Sequence, residues 1–317
     1  MTRSITFLAV VASLASTAVT HSFIDFVNID GDHYYGYDPR PGGTDPPLTA
    51  NRVVWAHNAP DQGWVNGSHY NTLHIACHHD ATSVPAHAPV RAGQTVGVHW
   101  HGWPRIHTGP VLSYLAPCEG TSDGCASVDK TKLQWTMVDD GAPGLLSTEP
   151  SATNGTWATD FLIGNSPNPN FPNTNANNTW QVRVPAGLKP GPYVLRHEII
   201  ALHYGTYLEE GGAQHYPFCI NLFVYPPTGT PPAPFQLTRV TSKDLYRVGH
   251  PGLYYDQSKR PMDPYVLPGP GLARGAQPVK PQEQFPPHYV KDGVPVRVRG
   301  TTPVPFVAKR AVETFAA

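Results

Sequence analysis

Thirty-six prolines and 29 glycines break this 317-residue chain into short runs, and no long helical pattern survives between them. Proline removes a backbone donor and glycine raises the entropic cost of order, so such a chain builds structure from short strands rather than helices. Strand-like runs recur between turn signals: Phe23–Ile29, the alternating Gln94–Trp100 and Trp180–Val184, then Tyr193–His203 and Phe218–Val224. Many short strands separated by turns predict an all-β fold, an antiparallel β-sandwich of immunoglobulin or fibronectin-III type. The segments between strands are long, Pro143–Asn178 among them, and long loops on a rigid sandwich carry binding surfaces. From Tyr225 the composition shifts towards proline, and residues 273–317 hold seven Lys/Arg against three Asp/Glu. That stretch reads as a disordered, mildly basic C-terminal extension. The expected organisation is a leader over 1–20, one β-sandwich domain over 21–272 and the extension over 273–317.

The leader reading rests on a basic start at Arg3, an apolar run from Ile5 to Ala15, and small residues Ala18 and Thr20 at −3 and −1. The mature protein is therefore expected to be secreted and to begin at His21. Thr20 is not the best −1 residue, so a cut one or two residues away is the alternative, and it would remove this terminus. Net charge is −1, so no basic field argues for nucleic acid or an anionic membrane. No second apolar run is long enough to span a bilayer. Four cysteines in a secreted chain suggest two disulfides. Sequence alone permits three pairings, of which Cys118–Cys125 with Cys77–Cys219 is the most natural. Asn66, Asn154 and Asn177 head N-glycosylation sequons.

A histidine at a free N-terminus offers two nitrogen ligands on one residue, the α-amine and the imidazole. That set suits copper, which favours nitrogen donors in a flattened geometry. The alternative is that His21 merely follows the leader. Of the 16 histidines most are expected to be structural. His99 and His101 sit on an alternating strand, and His33, His69, His250 and His288 read as loop residues. Three segments stand out beside His21: His107-Thr-Gly-Pro-Val-Leu-Ser-Tyr-Leu-Ala-Pro-Cys118, Leu195-Arg-His-Glu-Ile-Ile-Ala-Leu-His203, and Gly211-Gly-Ala-Gln-His-Tyr-Pro-Phe-Cys219.

Together with His21 and a closing Tyr265-Val-Leu-Pro-Gly-Pro270, these segments resemble the fungal lytic polysaccharide monooxygenases of auxiliary activity family nine, from His21 to about Leu272. The resemblance implies a copper ion held by the amine and ring of His21 and the ring of His107, a histidine brace. Tyr216 would lie on the axial side without a close bond. His203 and Gln214 would form the hydrogen-bonding pair beside the copper, and Tyr265 would present an aromatic ring on a flat substrate face. It implies the same disulfides, Cys77–Cys219 and Cys118–Cys125. Arg196, His197 and Glu198 read as structural polar residues. The expected activity is oxidative cleavage of β-1,4-glucan, cellulose first, at C1 or C4, with hemicellulose a further substrate. O2 or H2O2 would be co-substrate, with a small molecule or redox enzyme as electron donor, and the protein is expected to be a monomer. Two other classes fit parts of the pattern: a non-catalytic copper-binding protein, against which the His203/Gln214 pair argues, and a carbohydrate-binding module, against which a complete brace argues. Two departures stand out: two extra residues between His203 and Gln214, and Ile106 where a polar residue commonly precedes the copper histidine.

Overall fold

A computed structural model describes residues 21–42, 51–141, 145–147, 155–163, 178–207, 212–280, 282 and 291–305. The leader, Asn154, Asn177, His288 and residues 208–211 between His203 and Gln214 lie outside the described residues. The strands in chain order are β1 (Ile24–Ile29), β2 (Asp32–Tyr35), β3 (Ala88–Arg91), β4 (Thr95–Trp100), β5 (Val111–Pro117), β6 (Gln134–Asp139), β7 (Leu145–Ser147) and β8 (Thr156–Trp157). They continue as β9 (Thr179–Arg183), β10 (Gly191–Ala201), β11 (Gln214–Tyr225), β12 (Val240–Thr241), β13 (Lys291–Asp292), β14 (Val296–Arg299) and β15 (Thr302–Pro305). The two α-helices, α1 (His74–Cys77) and α2 (Ala158–Leu162), are each about one turn long, as the proline and glycine content demands.

Two sheets form the sandwich, in the orders β13-β2-β1-β4-β9 and β12-β6-β5-β10-β11-β3. Alternate residues of each face inward. Val96, Val98, Trp100 and Val182 from the first sheet meet Leu195, Ile199, Tyr216, Phe218 and Ile220 from the second in one core. The second sheet is also covered on its outer face. There Trp55, Val65 and Tyr70 from the loops and Ile75 and Cys77 from α1, with Leu245, Tyr246 and Leu253, make a second core against Leu112, Tyr114 and Val194. Burial on both faces explains why β10 and β11 read as near-continuous apolar runs. The Cys77–Cys219 disulfide pins this covering layer to β11, and Cys118–Cys125 closes a short loop after β5. The long pin closes a span of 142 residues, for which a contribution of about 2–4 kcal/mol is typical.

Three sequence expectations are corrected here. His33 lies in β2, with its ring packed on Phe26 at 4.5 Å, rather than in a loop. Pro143–Asn178 is not all loop, since β7, β8 and α2 fall within it. The described part of 273–317 is not free of the sandwich. Gln282 hydrogen-bonds both the amide and the carbonyl of Gln181 on edge strand β9. β13 pairs parallel to edge strand β2, and β14 bridges to His87 beside β3. Composition reports net polarity, whereas these contacts depend on open sheet edges and on Val296 and Val298 finding Phe223.

Candidate functional site

One end of the sandwich gathers five of the singled-out residues. Antiparallel pairing of β10 and β11 sets Ala201 against Gln214 and Ile199 against Tyr216, which brings His203 alongside the start of β11. The loop before β5 is stitched to the same end, because Leu202 N–H donates to Thr108 O (2.8 Å) and Ile200 N–H to Pro110 O (3.1 Å). Gly109 permits that approach: a Cβ there would lie 1.9 Å from the Ile200 carbonyl oxygen. The His-x-Gly-Pro pattern is thus a device that presses His107 against the β10–β11 hairpin. Trp103 fixes it from behind, donating Nε1–H to His107 O at 2.9 Å.

The rings converge. His21 lies 6.0 Å from His107, centre to centre and nearly edge-on at 79°. His107 lies 4.0 Å from His203, and Tyr216 lies 6.3 Å from His21. The Tyr216 hydroxyl donates to Gln214 Oε1 at 3.0 Å, leaving the Gln214 amide hydrogens available to another acceptor. Burial, then the neighbouring His203 and His21, push the His107 imidazole down to about 3. Burial and His21 push His203 down to about 4. Both rings are neutral at neutral pH, the form that ligates a metal. Burial raises the Tyr216 phenol well above its usual range, with the Asp61 charge adding to it, so it stays protonated. His107 Nδ1 and His203 Nδ1 are buried without any hydrogen-bond partner. A buried polar atom left unpaired is costly, and such atoms call for a functional reason.

Among the described residues no three His, Cys, Asp or Glu side chains form a metal cluster. A brace does not need one, because its third donor is the α-amine that leader removal would free. His21 and His203 are half-buried, whereas His107, Gln214 and Tyr216 are buried beneath them.

Tyr265 is elsewhere. Its ring packs edge-on against Trp157 (4.9 Å) and Tyr255 (5.1 Å), and its hydroxyl donates to Gly252 O at 3.0 Å. It is half-buried and packs against the second core. The exposed aromatics beside the site are Tyr204 and Tyr207, 38% and 57% exposed, with Tyr204 4.5 Å from the His203 ring. Sequence reasoning missed them, although a Tyr-Gly-Thr-Tyr run directly after His203 was a usable signal. It also missed Trp64, whose ring lies 5.0 Å from His21. Ile106 is 70% exposed next to His107. Asn66 caps a short turn by accepting from Ser68 N–H at 3.1 Å.

Known proteins show the family. The family described as Auxiliary Activity family 9 (formerly GH61) matches residues 21–265. The chain is 40% identical over 276 residues to AA9 family lytic polysaccharide monooxygenase A of Talaromyces verruculosus, spanning 85% of this chain and 74% of that protein. It is 38% identical to AA9 family lytic polysaccharide monooxygenase I of Botryotinia fuckeliana, spanning 83% and 88%. Among solved structures it is similar to the extended catalytic domain of H. jecorina LPMO9A, with a TM-score of 0.69 at 34% identity, covering 89% of this chain and all of that one. With the family match covering residues 21–265 and the β-sandwich shared with a solved relative, the chain belongs to Auxiliary Activity family 9, the fungal lytic polysaccharide monooxygenases.

Proposed function

We propose that the mature, secreted protein holds one copper ion through the His21 amine and ring and the His107 ring, and that it oxidatively cleaves β-1,4-glucan, cellulose first, at C1 or C4. The observation that carries this reading is the pair of imidazoles His21 and His107, set 6.0 Å apart with the His107 Nδ1 unpartnered. That separation would leave room between the two rings for one ion at the nitrogen–metal distance of about 2 Å usual for imidazole ligands. The donors are neutral nitrogens, which suit copper in both of its common oxidation states. Copper bound there supplies one-electron chemistry towards O2 or H2O2, with electrons from an external donor.

The remaining roles belong to this chain's own residues. His203, beside His107, and Gln214 offer a neutral imidazole and an amide N–H to hydrogen-bond an oxygen co-substrate. The Tyr216 phenol fills one side of the site and, being protonated, adds no charge to it. Tyr204 and Tyr207 offer aromatic faces to sugar rings of an insoluble chain, and Ile106 offers an apolar contact next to His107. No helix among the described residues is long and apolar enough to cross a membrane. A monomer acting outside the cell, with sugars on some of Asn66, Asn154 and Asn177, fits this reading. The domain is taken to end near Leu272, with the extension strapped onto its edges.

Copper-loaded protein with ascorbate on amorphous cellulose tests the activity. Aldonic acids or 4-keto oligosaccharides in the mass spectrum, lost in His107→Ala, are the expected products and also give the regioselectivity. A copper-bound protein that yields no oxidised product from any glucan would contradict the proposal.

A further inference from the structure

We propose that His78 and His79 are positioning residues for the copper site, acting through Trp64. The inference rests on the copper reading above. Trp64 and Tyr216 are ring neighbours of His21, at 5.0 and 6.3 Å. Once a leader is removed, His21 is a chain terminus, and chain termini are poorly ordered unless tied down. Its imidazole therefore depends on lateral packing to keep one orientation. Trp64 lies on a loop rather than a strand, so something has to hold Trp64.

Two consecutive imidazoles hold two consecutive carbonyls. His78 Nε2–H donates to Gly63 O at 3.0 Å, and His79 Nε2–H donates to Trp64 O at 3.1 Å. The His78 ring is fully buried and, chiefly for that reason, neutral. With its proton on Nε2, Nδ1 is bare and accepts from the His79 amide at 3.0 Å, so a single tautomer serves both bonds. The next residue, Val65, exchanges both backbone hydrogen bonds with His215 on β11, at 2.9 and 3.0 Å, one residue from Tyr216. Trp64 is thus fastened on one side to the strand that carries Tyr216 and on the other to the His78–His79 pair.

The backbone at His78 gives a second, independent sign. It has φ +81° and ψ 176°, a conformation used almost only by glycine. Its amide closes α1 by donating to His74 O at 2.9 Å. A glycine would meet that geometry without strain but would carry no imidazole to Gly63. The chain keeps a strained histidine where the ring is needed. His69 and His74, at 5.2 and 4.8 Å from the His79 ring, crowd it into place.

The test titrates Cu(II) into the mature secreted protein and into His79→Ala, His79→Gln and Trp64→Leu, reading affinity by competition and the copper environment by electron paramagnetic resonance. His79→Ala and Trp64→Leu are expected to weaken copper binding about tenfold, the low end for substitutions beyond the ligands themselves. Both should also alter the copper hyperfine splitting. His79→Gln, whose amide can donate to the same carbonyl, is expected to restore the wild-type spectrum. A folded His79→Ala with wild-type affinity and spectrum overturns the inference. So does an unchanged spectrum in Trp64→Leu, which keeps both tethers and covers the case where His79→Ala fails to fold. Wild-type protein that binds no nitrogen-coordinated copper sinks the copper reading itself.

Discussion

Two polar clusters sit on or beside strands β10 and β11, and they differ in one respect. On the outer face of the sheet Arg196, Glu198 and His215 are fully buried, and their charged and ring atoms are paired. Arg196 donates to Glu198 (2.7 Å) and to the Ile75 and Ala76 carbonyls (2.7 and 2.8 Å). His215 bridges Glu198 (2.9 Å) and Tyr70 (2.9 Å), and the Tyr246 hydroxyl also donates to Glu198. At the end of the sandwich, His107 and His203 are close together with Nδ1 atoms that meet nothing. The outer-face network has its hydrogen bonding complete, whereas the Nδ1 atoms of His107 and His203 have no partner. The identity of the residues does not separate the two clusters, since both contain histidines beside strands. The completeness of their hydrogen bonding does.

Substitutions should split along this line. His107→Ala is expected to lower oxidised-product yield at least about a thousandfold, as loss of a reacting-centre residue does. The unfolding midpoint of the metal-free protein should barely move, since no hydrogen bond of the His107 ring is lost. Glu198→Gln is the converse. It leaves Arg196 buried without its counter-charge and should cost about 3–5 kcal/mol in urea unfolding. The copper spectrum of the folded fraction should stay unchanged. A large copper effect from Glu198→Gln would merge the two clusters into one.

His203→Ala is expected to slow product formation about a hundredfold, the scale of one positioned proton donor. Copper affinity should stay at the wild-type value, which calorimetry checks. The pH dependence of stability sharpens the contrast from the other side. Burial alone would raise the Glu198 carboxyl, but Arg196 and His215 outweigh burial and hold it at about 2, below its ordinary 4.5. A depressed carboxyl contributes stability that is complete above its unfolded value and is lost as pH falls. Unfolding free energy should therefore decline between about pH 4.5 and 2, and Glu198→Gln should flatten that decline. The smallest effect is expected at Tyr265→Phe. Losing one hydrogen bond to Gly252 O should cost about 0.5–1.5 kcal/mol and leave cellulose binding intact. Weakened cellulose binding there would return Tyr265 to the substrate face.

Much of this molecule was legible from its residues. The strands around Phe23–Ile29, Gln94–Trp100 and Tyr193–His203 follow from local alternation and turn placement, which act over a few residues. His107, His203, Gln214 and Tyr216 were legible because their segments are contiguous and close to strand ends, where register brings them together. Trp64 was not. Its contact with His21 depends on a loop folding back through His78 and His79, and no period in the sequence records that. The packing of Tyr265 on Trp157 was hidden for a related reason, because an aromatic near a proline-rich turn reads alike whether or not it packs on a neighbour. The strap formed by Gln282, β13 and β14 was hidden by composition, since a polar segment can still supply one strand to an open edge.

The most direct measurement is intact-mass analysis of the secreted protein together with copper stoichiometry and electron paramagnetic resonance. The account predicts a chain beginning at His21 that binds one Cu(II) per molecule with nitrogen hyperfine structure, and His107→Ala losing that signal. A chain beginning elsewhere, or a wild-type spectrum that His107→Ala leaves unchanged, would contradict it.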